Sequence, residues 1–215
     1  MALPGGEKRL TEKSADGTSK QLRLFVAVEL PEATLRALVE TIEALRRVAP
    51  GDAVRWVRPE GIHLTLQFLG ATEEDRVPLI RTALRLAARD AAPFDVTPAG
   101  VGSFGGRANL RVVWVGLGDD GGALAGVAGL VQAAMEPLGY EREQRAFNAH
   151  LTLGRVREGA SRDERMRLHD AIARFEPPPI PSFHVERVSL MQSNLGRGGA
   201  VYQQLGAYPL AGVEA

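Results

Sequence analysis

The chain of 215 residues contains no cysteine. Disulfides, thiol nucleophiles, iron–sulfur clusters and every zinc site built on thiolates are therefore excluded. Such a composition suits a reducing compartment, and a cytoplasmic location is expected. Net charge is absent too: 26 Lys and Arg balance 26 Asp and Glu. Holding long nucleic acid by counterion release needs one cation per phosphate. The balance excludes an extended nucleic-acid clamp but leaves room for a site that takes one phosphate or one strand end. No apolar run is long enough to cross a bilayer, so no membrane partner is expected. Residues 1–21 mix Gly, Ser, Thr and charge and lack the apolar stretch of a signal peptide. They read as a flexible tail, residues 22–210 as one bilobal folded unit, and 211–215 as a short second tail. The stretches 102–106 and 196–199 are glycine-rich but lack the Lys-Ser/Thr ending of a phosphate loop. No Gly-x-Ser-x-Gly elbow supports a serine esterase.

What is present is a pattern that occurs twice. Leu24–Leu30 is a nearly continuous apolar run, the mark of a central strand. Pro31 then opens a helical pattern with Leu35, Leu38, Val39, Ile42 and Leu45 on one face. Strands are expected over 54–57 and 63–70, a helix over 78–89, and strands over 94–101 and 110–117. The order then recurs. A helix carries Leu124, Val127, Val131 and Leu138, a strand covers 150–156, and Ser161-Arg-Asp-Glu164 reads as a capping box that starts another helix. Strands over 183–192 and 200–205 close the chain. Phe94 and Phe183 stand 89 apart, and so do Val113 and Tyr202. Internal duplication explains this order. The expected fold is α+β: a duplicated, bilobal, pseudo-twofold arrangement of two antiparallel-rich sheets flanked by helices around a central cleft.

Histidine is scarce. Of the four, His63 and His150 each begin the tetrapeptide His-Leu-Thr-Leu, and they stand 87 apart in register with the structural repeat. An identical tetrapeptide is not rare in a chain of this length. This one, however, contains scarce residues at matching places in an independent repeat. Alternation along a strand puts His and Thr on one face and the two leucines on the other. If the lobes pack about a twofold axis, His63, Thr65, His150 and Thr152 line one cleft. Two imidazoles there supply a base and an acid near neutral pH, and two hydroxyls supply donors for an anion. Arg155 falls on the other face by simple alternation, where a surface arginine is the plain reading, and reaches the cleft if the strand twists or bulges after Gly154. His169, on a helix, and His184, between Phe183 and Val185, have no motif around them. No carboxylate sits at ligand spacing near either tetrapeptide, so neither a metal nor another cofactor is expected. Phe68 reads as a core aromatic, with stacking on a base as the other use.

These motifs resemble a known family. The paired motifs His63-Leu-Thr-Leu66 and His150-Leu-Thr-Leu153 are the signature of the 2H phosphoesterases. The flanking segments 22–28, Trp56-Val-Arg-Pro59, 63–70, 150–155 and Gly199-Ala-Val-Tyr202 resemble, in order, the LigT-like RNA 2′,3′-cyclic phosphodiesterases, also called 2′-5′ RNA ligases. Ala149 departs from the proline that the family often places before its second histidine. The resemblance implies a bilobal fold and opening of a terminal 2′,3′-cyclic phosphate, on RNA 3′ ends or small cyclic nucleotides, to a 2′-phosphate. It further implies His63 as proton donor, His150 as proton acceptor, Thr65 and Thr152 as ligands of the phosphate oxygens, and Arg155 as the cation beside them. The alternatives are RNA joining as the physiological direction, action on another cyclic nucleotide, and a module that binds RNA ends without turnover. No obligate protein partner is inferred, and a monomer is expected.

Overall fold

The computed structural model describes residues 20–196 and 199–211. Most of both expected tails lies outside these residues, as does the middle of the glycine-rich stretch 196–199. The first strand, β1 (Gln21–Val28), begins one residue before the expected edge of the folded unit. It leads into α1 (Glu32–Val48), which turns Leu38, Ile42 and Leu45 inward at helical spacing. Next come β2 (Val54–Trp56), β3 (Leu64–Glu73) and α2 (Val77–Arg89). The strands β4 (Phe94–Phe104) and β5 (Val112–Asp119) precede α3 (Ala123–Met135) and β6 (His150–Val156). The helix α4 (Arg162–Ile172) starts at the Ser161–Glu164 capping box, where each side chain satisfies the other's backbone amide. Three strands finish the fold: β7 (Phe183–Val185), β8 (Arg187–Gly196) and β9 (Gly199–Pro209). No helix among the described residues is long and apolar enough to cross a membrane.

Eight strands run in the order β7-β4-β5-β6-β3-β1-β8-β9, with β2 added beside β6. All pairings are antiparallel. The two expected sheets are thus two four-stranded halves that meet along β3 and β6, where Leu64 pairs with Leu151. The lobes do not coincide with the two halves of the sequence. One lobe is built wholly from β4 to β7, while the other combines β1 and β3 with β8 and β9 from the far end of the chain. This exchange divides the run 183–192, expected as one strand. Its first part, β7, pairs with β4 in one lobe, and its second, β8, pairs with β1 in the other, with a break at Glu186.

All four helices bury their apolar stripes in one continuous cluster. It includes Leu38 and Leu45 of α1, Ile80 and Leu84 of α2, Leu124 and Val131 of α3, and Leu168 of α4, against Leu64, Leu66, Leu151 and Leu153 of the sheet. Each such side chain, fully buried, contributes about 1.5–3 kcal/mol. The helices therefore cover one face of the sheet. Among the described residues the opposite face carries a small separate cluster of Phe25, Ala27 and Met191, with Tyr202 packed against it. That helix-free face holds the residues with chemistry.

Candidate active site

The antiparallel pair Leu64–Leu151 fixes the geometry of both motifs. One step along the register sets His63 across from Thr152, and one step the other way sets Thr65 across from His150. All four point away from the leucines, which are buried in the helix-covered core. Side chains opposite one another on adjacent strands have Cβ atoms about 5 Å apart, and diagonal ones about 7–8 Å. The two histidines lie on one diagonal and the two threonines on the other, which leaves room for a tetrahedral anion between them. Each half of the sheet extends these rungs: Thr152 pairs with Trp114 of β5, and Thr65 with Ala27 of β1.

The strand irregularities are as informative as the motifs. On β6, Val113 pairs with Gly154 but Trp114 pairs with Thr152, so Leu153 is an extra residue. This bulge reverses the alternation and brings Arg155 onto the same face as His150 and Thr152. Simple alternation had placed it on the other face. The bulge lies just before Gly154, where a Cβ would come within 2.6 Å of Val54 Cγ1, so only glycine fits. The same device recurs on β3. Ala27 pairs with Thr65 and Val26 with Gln67, making Leu66 the extra residue. Phe68 thereby pairs with Phe25 on the helix-free face and is 72% exposed, not buried in the core as expected. Phe68 and Arg155 occupy matching places, five residues after their respective histidines.

Each histidine sits in its own aromatic corner. The His63 ring lies 4.7 Å from Phe25 and 4.9 Å, edge to face, from Tyr202. The His150 ring lies 4.8 Å, edge to face, from Phe104, with Trp114 behind it at 6.5 Å. Trp114 rests on Gly102, where a Cβ would come within 2.3 Å of its ring. The sequence reading missed these aromatics, because they converge only when strands pair: Phe25 and Tyr202 come from opposite ends of the chain, Phe104 and Trp114 from the neighbouring strands β4 and β5.

His150 Nδ1 is 2.8 Å from the Asn148 carbonyl, which can only accept, so Nδ1 carries the proton and Nε2 is left for chemistry. His63 makes a backbone hydrogen bond to Gly61, again two residues before it. Burial lowers the His63 pKa to about 4, against smaller upward effects of Gly61 and Glu29, and the positive charge of Arg155 lowers it further. Glu29, another residue the sequence reading passed over, is itself held by Ser189 Oγ at 2.6 Å and by Gln204. The hydroxyls of Thr41, Thr72, Thr82 and Thr97 are engaged by protein partners. Among the described residues those of Thr65 and Thr152 are not.

The remaining histidines stay apart from the motif pair. His169 lies on α4 beside Asp170, and His184 Nδ1 pairs with Asp95 at 2.9 Å on the edge strand β7. Among the described residues, no group of three or more His, Asp or Glu side chains is arranged to hold a metal.

A family model described as LigT-like phosphoesterase matches residues 28–114 and 117–202. The chain is 33% identical over 184 residues to an RNA 2′,3′-cyclic phosphodiesterase of Archaeoglobus fulgidus, which covers 86% of this chain and 98% of that one. Its fold is similar to that of a crystal structure of a Thermus thermophilus protein, with a TM-score of 0.70, 30% identity, and coverage of 90% of this chain and 100% of that one. It is also similar to Escherichia coli LigT crystallised with 3′-AMP, with a TM-score of 0.65, 26% identity, and coverage of 89% and 99%.

Proposed function

The chain belongs to the LigT-like phosphoesterase family, and from that footing we propose that it hydrolyses a terminal 2′,3′-cyclic phosphate on RNA or a nucleotide to a 2′-phosphate. The observation that carries this reading is the diagonal arrangement of two histidines and two threonines about the Leu64–Leu151 pair. Such a square offers a base, an acid and two hydroxyl donors to one phosphate.

In this reading His150 accepts a proton through Nε2 from a water that attacks phosphorus. The bond from phosphorus to the ribose 3′ oxygen breaks, and His63 delivers a proton to that oxygen. The product carries a 2′-phosphomonoester and a free 3′ hydroxyl. Thr65 and Thr152 donate to the non-bridging oxygens, while Arg155 offsets the charge that grows on them. His63 is neutral near pH 7 in the free protein, since burial holds its pKa at about 4. A phosphate anion bound against it favours the imidazolium, so the substrate itself creates the proton donor. No step is assigned to a metal, since two imidazoles and an arginine supply the proton transfer and the charge that a metal would provide.

The test is liquid chromatography with mass spectrometry, against authentic 2′- and 3′-phosphate standards, of the products from an oligonucleotide with a 2′,3′-cyclic phosphate end, run in excess EDTA. A single added water, a 2′-phosphate and undiminished turnover are expected. A 3′-phosphate would reverse the assigned direction of ring opening. Activity lost to EDTA and restored by a divalent cation would overturn the metal-free mechanism, and binding without turnover would leave only an RNA-end binding module. Thr65→Ala and Thr152→Ala are each expected to fold normally and lose about 1–3 kcal/mol of transition-state stabilisation, a fall of about 5- to 150-fold in kcat/KM. Wild-type kinetics in both variants would make the hydroxyls bystanders.

A further inference from the structure

Beside the histidine–threonine square, strand β6 carries a second feature. Arg155 is paired across the ladder with Arg55 of β2, in a register fixed by Val54–Val156 and Trp56–Gly154 on either side. Val54 belongs to the helix-covered core, with Val156 packed against it, so the two arginines emerge together on the helix-free face, and both are exposed. Like charges directly opposite each other on adjacent strands repel.

Two arginines nearby, one just past β6 and one on α4, are compensated. Arg157, two residues beyond Arg155, pairs with Asp52 at 3.1 Å, and Arg165 is engaged by the carbonyls of Ala160, Leu110 and Arg157. Among the described residues neither Arg55 nor Arg155 makes an ion pair. Two uncompensated guanidinium groups in one rung, next to the rung of His63 and Thr152, form a place prepared for an anion. The positive charge of Arg155 is close enough to disfavour protonation of His63, so Arg155 lies beside the reacting phosphate, and the ladder sets Arg55 next to Arg155 on the outer side.

We propose that Arg55 and Arg155 form a second phosphate subsite, which takes the phosphodiester on the 5′ side of the terminal nucleoside of an RNA strand. This rests on the cyclic-phosphate reading above and adds the substrate class: a strand end is preferred to a free nucleoside cyclic phosphate. Arg155 stands between the two phosphates, and Arg55 touches only the outer one. The zero net charge of the chain agrees with recognition that stops after one such contact. The layout also gives the strand a direction. The arginine rung lies past His63 and Thr152, whereas exposed Phe68 lies at the other end, past Thr65 and His150.

The experiment compares kcat/KM for a nucleoside 2′,3′-cyclic phosphate bearing a 5′ hydroxyl with that for a trinucleotide ending in the same cyclic nucleoside. Wild-type protein is expected to prefer the trinucleotide by about tenfold at low salt. Arg55→Gln should abolish that preference and make the salt dependence for the trinucleotide shallower by about 0.7 in log–log slope, one single-strand phosphate contact. Arg55→Lys should keep the slope, and Arg36→Gln, in the Glu32 pair on α1, should keep both preference and slope. A preference that survives Arg55→Gln, or a wild type that treats both substrates alike, overturns the subsite while leaving the hydrolase reading intact. A wild type that opens neither ring overturns both.

Discussion

His150→Ala is expected to lower the rate of the chemical step by about 10²–10⁴, and a better leaving group should not restore it. His63→Ala is expected to lose a similar factor and to recover most of it. The difference lies in where each proton goes. If His150 takes the proton from attacking water, its loss leaves a poor nucleophile whatever departs. If His63 protonates the departing oxygen, its loss matters only while that oxygen is a poor leaving group. A 3′-deoxynucleoside 2′-(p-nitrophenyl) phosphodiester separates the cases, because nitrophenolate departs as an anion without a proton. Single-turnover rates with this ester and with the cyclic phosphate give the two ratios. Equal recovery in both variants would mean that the proton roles are shared or exchanged. Recovery in neither would give the histidines a positioning role. The Nδ1 contact of His150 with the Asn148 carbonyl leaves Nε2 as the basic nitrogen of its ring.

Much of this site is visible in the sequence, because its central elements are local. The two His-Leu-Thr-Leu strands, the apolar stripe of α1 and the Ser161–Glu164 cap each depend on residues within a few positions of one another. The parts that escape depend on pairing between distant strands. Alternation assumes a uniform period of two, so it places Arg155 on the wrong face. One extra residue, Leu153, corrects this, and the need for it shows only when β5 lies alongside. Phe68 follows the same logic, since the extra Leu66 turns it out of the core. The crossing of β8 and β9 into the first lobe is equally silent in the sequence. β7 is only three residues long and β8 follows after Glu186 alone, so the break is too short to stand out in the sequence. The duplication itself is legible; the exchange of strands between its copies is a property of the assembled sheet.

His63 is also expected to make the stability of the protein depend on pH over a narrow window. Burial between Phe25 and Tyr202 lowers its pKa to about 4 from an unfolded value of 6.5. Between those values the unfolded chain binds a proton that the native chain refuses. Stability therefore rises with pH across the window: the contribution is fully present above about 6.5 and is lost as pH falls towards 4. A shift of this size corresponds to about 3 kcal/mol, most of it lost by about pH 4.5. Carboxylates titrate nearby, so the quantity to measure is a difference. Urea unfolding of wild type and His63→Gln at pH 7.5 and 4.5 should show the variant losing about 2–3 kcal/mol less than wild type over that interval. The ring resonances of His63 should titrate near 4 in the free protein and higher with bound phosphate. Arg155→Gln should move the midpoint up by removing a cation, and Glu29→Gln should move it down by removing an anion. A His63 that titrates near 6.5 in the free protein, with equal acid sensitivity in wild type and variant, would remove the buried neutral imidazole. The proton donor would then exist before the substrate arrives.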